Sequence, residues 1–257
     1  EIVIFSRKLS DVATALFSNS EKGLAVDFTD ISTLFQDLEG AVPIIAAGQQ
    51  IAFAKDLSGH RAHLIQPDPL KRPVLEYNST TKLYNADFSG NKSMWTQIFA
   101  DFNGSNRLSL FASLSKDNSD VASLIELTSN INNPTDGGFV LFCESGDELS
   151  FSTKAGPSRY VVGNISSRAI GAFSIYTNYS LPTNKVQSFR KNGVEQNLSL
   201  NRDDQALTLT SDYLYVGARG GSSLYSNAKY YSIIAINRET TELERDEIET
   251  LQKKAFI

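Results

Sequence analysis

The chemistry-bearing residues of this chain are carboxylates, tyrosines and a few arginines. A sugar hydrolase needs two carboxylates placed on either side of one glycosidic bond. The densest strand-side candidate, Glu144-Ser145-Gly146-Asp147-Glu148, contains a glycine and reads as a turn. Glu242, Glu244, Asp246, Glu247 and Glu249 fall on one predicted helix and read as a solvated face. Cys143 ends the apolar run Phe139 to Phe142 and reads as a small buried residue. His60 and His63 sit three residues apart, a spacing that two ligands of one metal can use. No nucleophile elbow, phosphate loop or dinucleotide fingerprint is present. These residues point away from an enzyme.

Binding is better served. Sugars are held by aromatic faces against the ring and polar groups around it. Trp95 is the only tryptophan, and Tyr176, Tyr179, Tyr213, Tyr215 and Tyr225 fall in or near predicted strand ends. Arg219 and Tyr225 flank a loop with Gly217, Gly220 and Gly221, which can take backbone angles closed to other residues. Arg219, Tyr225 and Trp95 are therefore the candidate ligand-binding residues. Each of Asn78, Asn91, Asn103, Asn164, Asn178 and Asn197 opens an N-x-S/T triplet. In a chain rich in Asn and Ser these read as chance matches.

The elements that must position these residues are mostly strands. Glu148 to Ser152, Ala206 to Thr210 and Tyr213 to Val216 alternate polar and apolar residues. Arg107 to Leu114, Phe139 to Phe142 and Ala172 to Tyr176 are rich in strand-favouring residues. Asn192-Gly193, after the strand Val186 to Arg190, predicts a two-residue hairpin turn, because a type I′ turn needs positive φ at both central positions. Many short strands at even spacing predict an all-β sandwich or barrel. Two helices are expected, one towards each terminus. Thr241-Glu242-Leu243-Glu244 is a capping box, followed by a stripe of Leu243, Ile248, Leu251 and Ala255. Ser10 is expected to cap the other, which carries Val12, Ala13, Leu16 and Phe17.

The 257 residues carry 24 basic and 29 acidic side chains, a net charge of −5 that argues against nucleic acid. No apolar run is long enough to span a membrane. The opening EIVIFSRKLSD lacks the pattern of a secretory leader, and a start at Glu1 fits a fragment or processed product. One Cys excludes a disulfide framework. Ile2 to Asp11 echoes Ile233 to Glu242 in pattern: apolar strand, Arg, polar cap, helix. Either such junctions share chemistry, or residues 1–22 close a preceding similar domain before a main unit at 23–257.

Gly23 to the C-terminus resembles the laminin-G-like, concanavalin A-like jelly-roll domains of bacteriophage and prophage tail-associated proteins. The matching residues are Asp27, Leu34-Phe35-Gln36-Asp37, Asp56-Leu57-Ser58-Gly59, His63, Arg72-Pro73 and Phe88-Ser89-Gly90. FRKNGVEQ and LYVGARGGSSLYSNAKYYSIIAIN, followed by a helix, match the far end. Two departures stand out: Ser89 replaces an acidic residue, and Asn227-Ala228 lacks an expected glycine. The resemblance implies a jelly-roll sandwich of two antiparallel sheets with short terminal helices. It places His60 and His63 in a loop rather than a metal site. It implies a non-enzymatic virion module of a phage tail or fibre that binds host surface carbohydrate or serves a structural role, the alternative being a glucanase-like glycoside hydrolase or a secreted bacterial carbohydrate-binding protein. Expected partners are a host surface glycan, other tail proteins and further copies of the chain. Calcium, which such domains often hold on rim loops, points to Asp101, Asp117, Asp120, Asp136, Asp203 and Asp204.

Overall fold

The alternating segments pair into two antiparallel sheets. The computed structural model describes residues 7–116, 118–128, 137–145, 148–154, 160–166, 169–181, 185–203 and 208–257. The strands of the first half are β1 (Gly23–Asp27), β2 (Leu34–Phe35), β3 (Phe53–Ala54), β4 (Leu64–Ile65), β5 (Val74–Asn78), β6 (Leu83–Asp87), β7 (Met94–Thr96), β8 (Arg107–Ser115) and β9 (Ala122–Leu127). Those of the second half are β10 (Gly138–Cys143), β11 (Glu148–Lys154), β12 (Tyr160–Ser166), β13 (Ile170–Asn178), β14 (Val186–Lys191), β15 (Val194–Glu195), β16 (Leu200–Asp203), β17 (Leu214–Val216) and β18 (Lys229–Ile236). Helices α1 (Leu9–Leu16) and α2 (Glu242–Gln252) complete the order.

One sheet runs β15-β14-β13-β8-β18-β6-β5, with β1 sharing an edge of β18. We call it sheet A. The other, sheet B, runs β16-β12-β11-β10-β9-β17-β7-β4-β3-β2. Leu24, Leu110, Phe173, Phe189, Ile233 and Ala235 from sheet A meet Leu64, Met94, Ile125, Leu141, Phe151 and Leu214 from sheet B in one buried cluster. This is the expected all-β sandwich, its two inner faces forming the core.

Sheet A is buried on its outer face as well. Ile234, Ile236, Ala25 and Phe111 point away from the sandwich and pack with Leu9, Val12, Ala13 and Leu16 of α1 and Ile248 of α2. A strand covered on both faces must be apolar at successive positions. That accounts for Ile233-Ile234-Ala235-Ile236, which breaks the alternation seen elsewhere.

The helix ends differ in one case from expectation. The capping box forms as expected at α2: Glu244 N–H donates to Thr241 Oγ1 at 3.2 Å, and Thr241 N–H donates to Glu244 Oε2 at 2.8 Å. At α1 the cap is Lys8, not Ser10. The Asp11 carboxylate accepts the Lys8 N–H at 3.0 Å, so an acid three residues on holds the start while Ser10 lies inside the helix. The expected stripe of α2 also needs correction. Leu243 is 84% exposed, whereas Glu249 is buried. Glu249 turns inward because Arg190 Nε reaches it at 2.8 Å and Ser174 Oγ donates to it. The Asn192-Gly193 turn forms as expected, with φ of 51° and 82° between β14 and β15. Thr208 to Thr210 belongs to no strand, and residues 206–207 lie outside the described ones.

Arg238 anchors α2 to the sheet. Its Nη2 lies 2.7 Å from Glu244 Oε1, and its Nε lies 3.3 Å from Glu21 Oε1. The guanidinium holds the Glu244 carboxyl down at about 2, below its ordinary 4.5. A carboxyl lowered in the folded state contributes stability above its unfolded value, and that contribution fades as pH falls from about 4.5 towards 2. Glu244→Gln is therefore expected to lower the urea midpoint at pH 7 and to lessen its decline across that acid window. Urea titrations at several pH values check this.

Candidate functional site

Sheet B, unlike sheet A, has no helix over its outer face among the described residues, and its registers set side chains there in a row. Phe35 opposes Phe53, Phe53 opposes Ile65, and Ile65 opposes Trp95. Trp95 opposes Tyr215, which opposes Glu126, which opposes Val140. Their neighbours one residue along, such as Leu64, Met94, Leu214 and Ile125, point into the core. Period-two alternation thus places this whole row on the outer surface.

The centre of the row is aromatic. The Trp95 and Tyr215 rings lie 6.5 Å apart, Tyr213 and Tyr215 lie 6.4 Å apart, and Phe99 meets Tyr213 edge-on at 4.7 Å. Trp95, Tyr213 and Tyr215 are half-buried, while Phe99 is 54% exposed and Ile98 is 49% exposed. Burial, and then the nearby Asp212, raises the Tyr215 phenol above its ordinary value. It stays a neutral donor at physiological pH.

A glycine turn closes one side. Gly220 and Gly221 have φ of 51° and 72°, and Ser222 N–H donates to Arg219 O at 3.1 Å. This is the two-residue geometry that demands positive φ twice. Gly217 is required for a different reason: a Cβ there would lie 2.4 Å from the Phe88 ring. The turn folds back until Gly221 packs against the Trp95 and Tyr215 rings, where Ser93 Oγ donates to Gly221 O at 3.2 Å. Asn227 has φ of 48° and accepts the Gly90 N–H at 3.2 Å and the Asn91 N–H at 3.3 Å. Asparagine tolerates the left-handed region, so the missing glycine leaves this loop formed.

Arg219 lies over the row. Its Nε is 3.6 Å from Glu126 Oε1, and its guanidinium carbon sits 5.2 Å from the Phe142 ring centre. The Glu126 side chain is only 3% exposed, so Arg219 roofs a buried carboxylate on the outer side of the sheet. Ser123 Oγ donates to that carboxylate at 3.3 Å.

Of the three candidate residues, Arg219 and Trp95 therefore meet through Glu126 and Tyr215. Tyr225 does not join them: it is half-buried, and no hydrogen bond or ring contact links it to either residue. Tyr179 belongs to the core, bonded to Thr153 at 2.7 Å. Glu126 and Phe142 carried no signal in the sequence, because a lone Glu in an apolar strand reads the same whether or not an Arg covers it.

The remaining chemical candidates are occupied structurally. His60 Nε2 lies 2.6 Å from Glu21 O, and His63 Nδ1 accepts the Asp56 N–H at 3.0 Å. Asp101 accepts from Asn103 N–H and Ser211 Oγ and meets Lys22. Glu144 accepts from Ser150 Oγ, and Glu148 accepts from Asn164 and Ser199. Among the described residues no three His, Cys, Asp or Glu side chains converge as a metal site. Asp117, Asp136, Gly146, Asp147 and Asp204 lie outside the described residues, and Asp203 is described in its backbone alone.

Arg219→Met removes the cation that covers Glu126. Leaving a buried polar group without its partner costs about 1–3 kcal/mol, and a charge costs more unless water reaches it. We expect the variant to lose about that much stability in urea titrations at pH 7, and Arg219→Met/Glu126→Gln to regain part of it.

Comparison with solved structures supports the architecture. The chain superposes on the ligand-binding domain of botulinum neurotoxin serotype D in complex with N-acetylneuraminic acid with a TM-score of 0.55 and 12% identity, covering 93% of this chain and 52% of that one. It superposes on the receptor-binding domain of botulinum neurotoxin D with a TM-score of 0.56 and 12% identity, covering 92% and 54%. The chain thus spans about half the length of the structures it matches. No family model matches it, and no curated protein matches its sequence. With two antiparallel sheets, two short helices and this likeness, the chain has a jelly-roll β-sandwich fold.

Proposed function

We propose that the chain is a non-enzymatic carbohydrate-binding module whose ligand lies on the outer face of sheet B. The observation that carries this reading is the aromatic row of Trp95, Tyr215, Tyr213 and Phe99 beside a charged neighbour, Arg219. Rings on a flat sheet face stack against the apolar side of a sugar ring, and nearby polar groups take its hydroxyls. The glycine turn borders that platform, with Gly221 beside the Trp95 and Tyr215 rings. A similar fold solved with bound N-acetylneuraminic acid gives the reading a precedent on this architecture. The family resemblance of Gly23 to the C-terminus supports a home in a phage or prophage tail or fibre. There the ligand is a host surface glycan, and other tail proteins are the neighbours.

A glycan array of bacterial surface polysaccharides tests binding, with Trp95 fluorescence as a second readout. Trp95→Ala is expected to lower affinity at least tenfold, about 1.4 kcal/mol, while the protein stays folded. No signal from the unaltered protein on any polysaccharide sinks the binding reading. Sustained release of reducing sugar sinks the non-enzymatic one. Mass spectrometry of purified particles tests the virion assignment.

A further inference from the structure

A cavity lies on the opposite side of the molecule, on the outer face of sheet A. Its volume is about 270 Å³. Its floor is set by register. Ser109, Tyr176 and Ser188 form one row across β8, β13 and β14, and Phe111 and Ser174 belong to the next. Glu239, Thr240 and Arg245, at the start of α2, form the other wall. Nearer β18 the same face carries Phe111, Ile234 and Ile236, and the helices cover it. Serines instead of large apolar residues at 109, 174 and 188 leave space beneath the start of α2.

The lining is rich in hydroxyls, with donors and acceptors mixed. Ser109 Oγ donates to Arg238 O at 2.7 Å, Ser174 Oγ donates to Glu249, and Ser188 Oγ donates to Glu195 at 2.8 Å. With those protons committed, the three oxygens keep acceptor capacity. The Tyr176 hydroxyl lies beside the Glu239 carboxylate, and Arg245 Nε, on one wall, is buried without a hydrogen-bond partner among the described residues. Buried polar groups left in that state are costly and uncommon in native proteins. Burial, and then the Glu239 carboxylate beside it, pushes the Tyr176 phenol up to about 12, so the hydroxyl keeps its proton.

Charge defines the ligand further. Arg245 lies 3.7 Å from Glu242 and 3.7 Å from Asp246, and Glu239 stands at the rim. An anionic ligand meets the carboxylates of Glu239, Glu242 and Asp246. A neutral molecule avoids that conflict. The volume is just below the ~300–1,000 Å³ typical of ligand pockets, which suits a single ring.

We propose that this cavity binds one neutral, polyhydroxylated ring, such as a single sugar residue, through Tyr176, Arg245 and the serine hydroxyls. This site is separate from the sheet B row and does not depend on it. Ligand-observed NMR with methyl glucoside, methyl galactoside and N-acetylglucosamine tests it on the full chain. At least one of the three is expected to bind saturably at millimolar concentration. Tyr176→Phe and Arg245→Met are each expected to weaken that binding at least tenfold, and Trp95→Ala to leave it unchanged. Absence of saturable binding by all three sugars overturns the proposal, as does binding unchanged in both cavity variants. Loss of binding in Trp95→Ala alone also overturns it, and assigns the sugar to sheet B instead.

Discussion

The structure depends on one strand having to be buried on both faces. β18 carries Ile233 and Ala235 into the sandwich and Ile234 and Ile236 to the other side. The second pair cannot be left in water without cost, roughly 1.5–3 kcal/mol for each large apolar side chain. Both helices follow from that requirement. α1 and α2 bring Leu9, Val12, Leu16 and Ile248 onto the same patch. Arg238 and its carboxylate partners fix where α2 begins. The segment before Gly23 is thus tied to the last strand by packing, whatever its origin.

Covering sheet A in this way divides the molecule. One side is covered by helices, with a cavity left where serines replace apolar residues under the start of α2. On the other side, sheet B shows aromatic rings rather than aliphatic ones. Trp95, Tyr213 and Tyr215 shed water from their faces and still offer an N–H or O–H at the edge. An aliphatic row in the same place would demand a helix or a partner. The aromatic row can stay open, which a binding face requires.

Much of the fold was legible in the sequence because the signals are local. Alternation marked β11 and β17, strand-favouring residues marked β8, β10 and β13, Asn192-Gly193 marked a hairpin, and Thr241 to Glu244 marked a cap. The misreadings turn on side-chain partners, one local and one distant. Lys8 displaced Ser10 as a cap because Asp11 holds its N–H, and Glu249 is buried because Arg190 reaches it from another strand. A helical wheel cannot show a partner 59 residues away. The candidate site was legible in the same proportion. Trp95 stood out as the only tryptophan and Arg219 by its glycines, yet their connection through Tyr215 and Glu126 exists only once β7, β17 and β9 are adjacent.

That adjacency explains why Arg219 is more than a rim charge. A guanidinium free in a loop would be screened by water and would select ligands weakly. Here Glu126 holds its Nε side, and the Phe142 ring lies beneath its plane. Two fixed contacts restrict the side chain, so less rotational freedom is lost when a ligand meets its outer edge. The buried carboxylate also lowers the net positive charge at the surface. The site therefore suits hydrogen-bonded, oriented contact with sugar hydroxyls better than non-specific attraction of polyanions. The aromatic row would supply the contact area, and the Arg219–Glu126 pair would set the direction of approach.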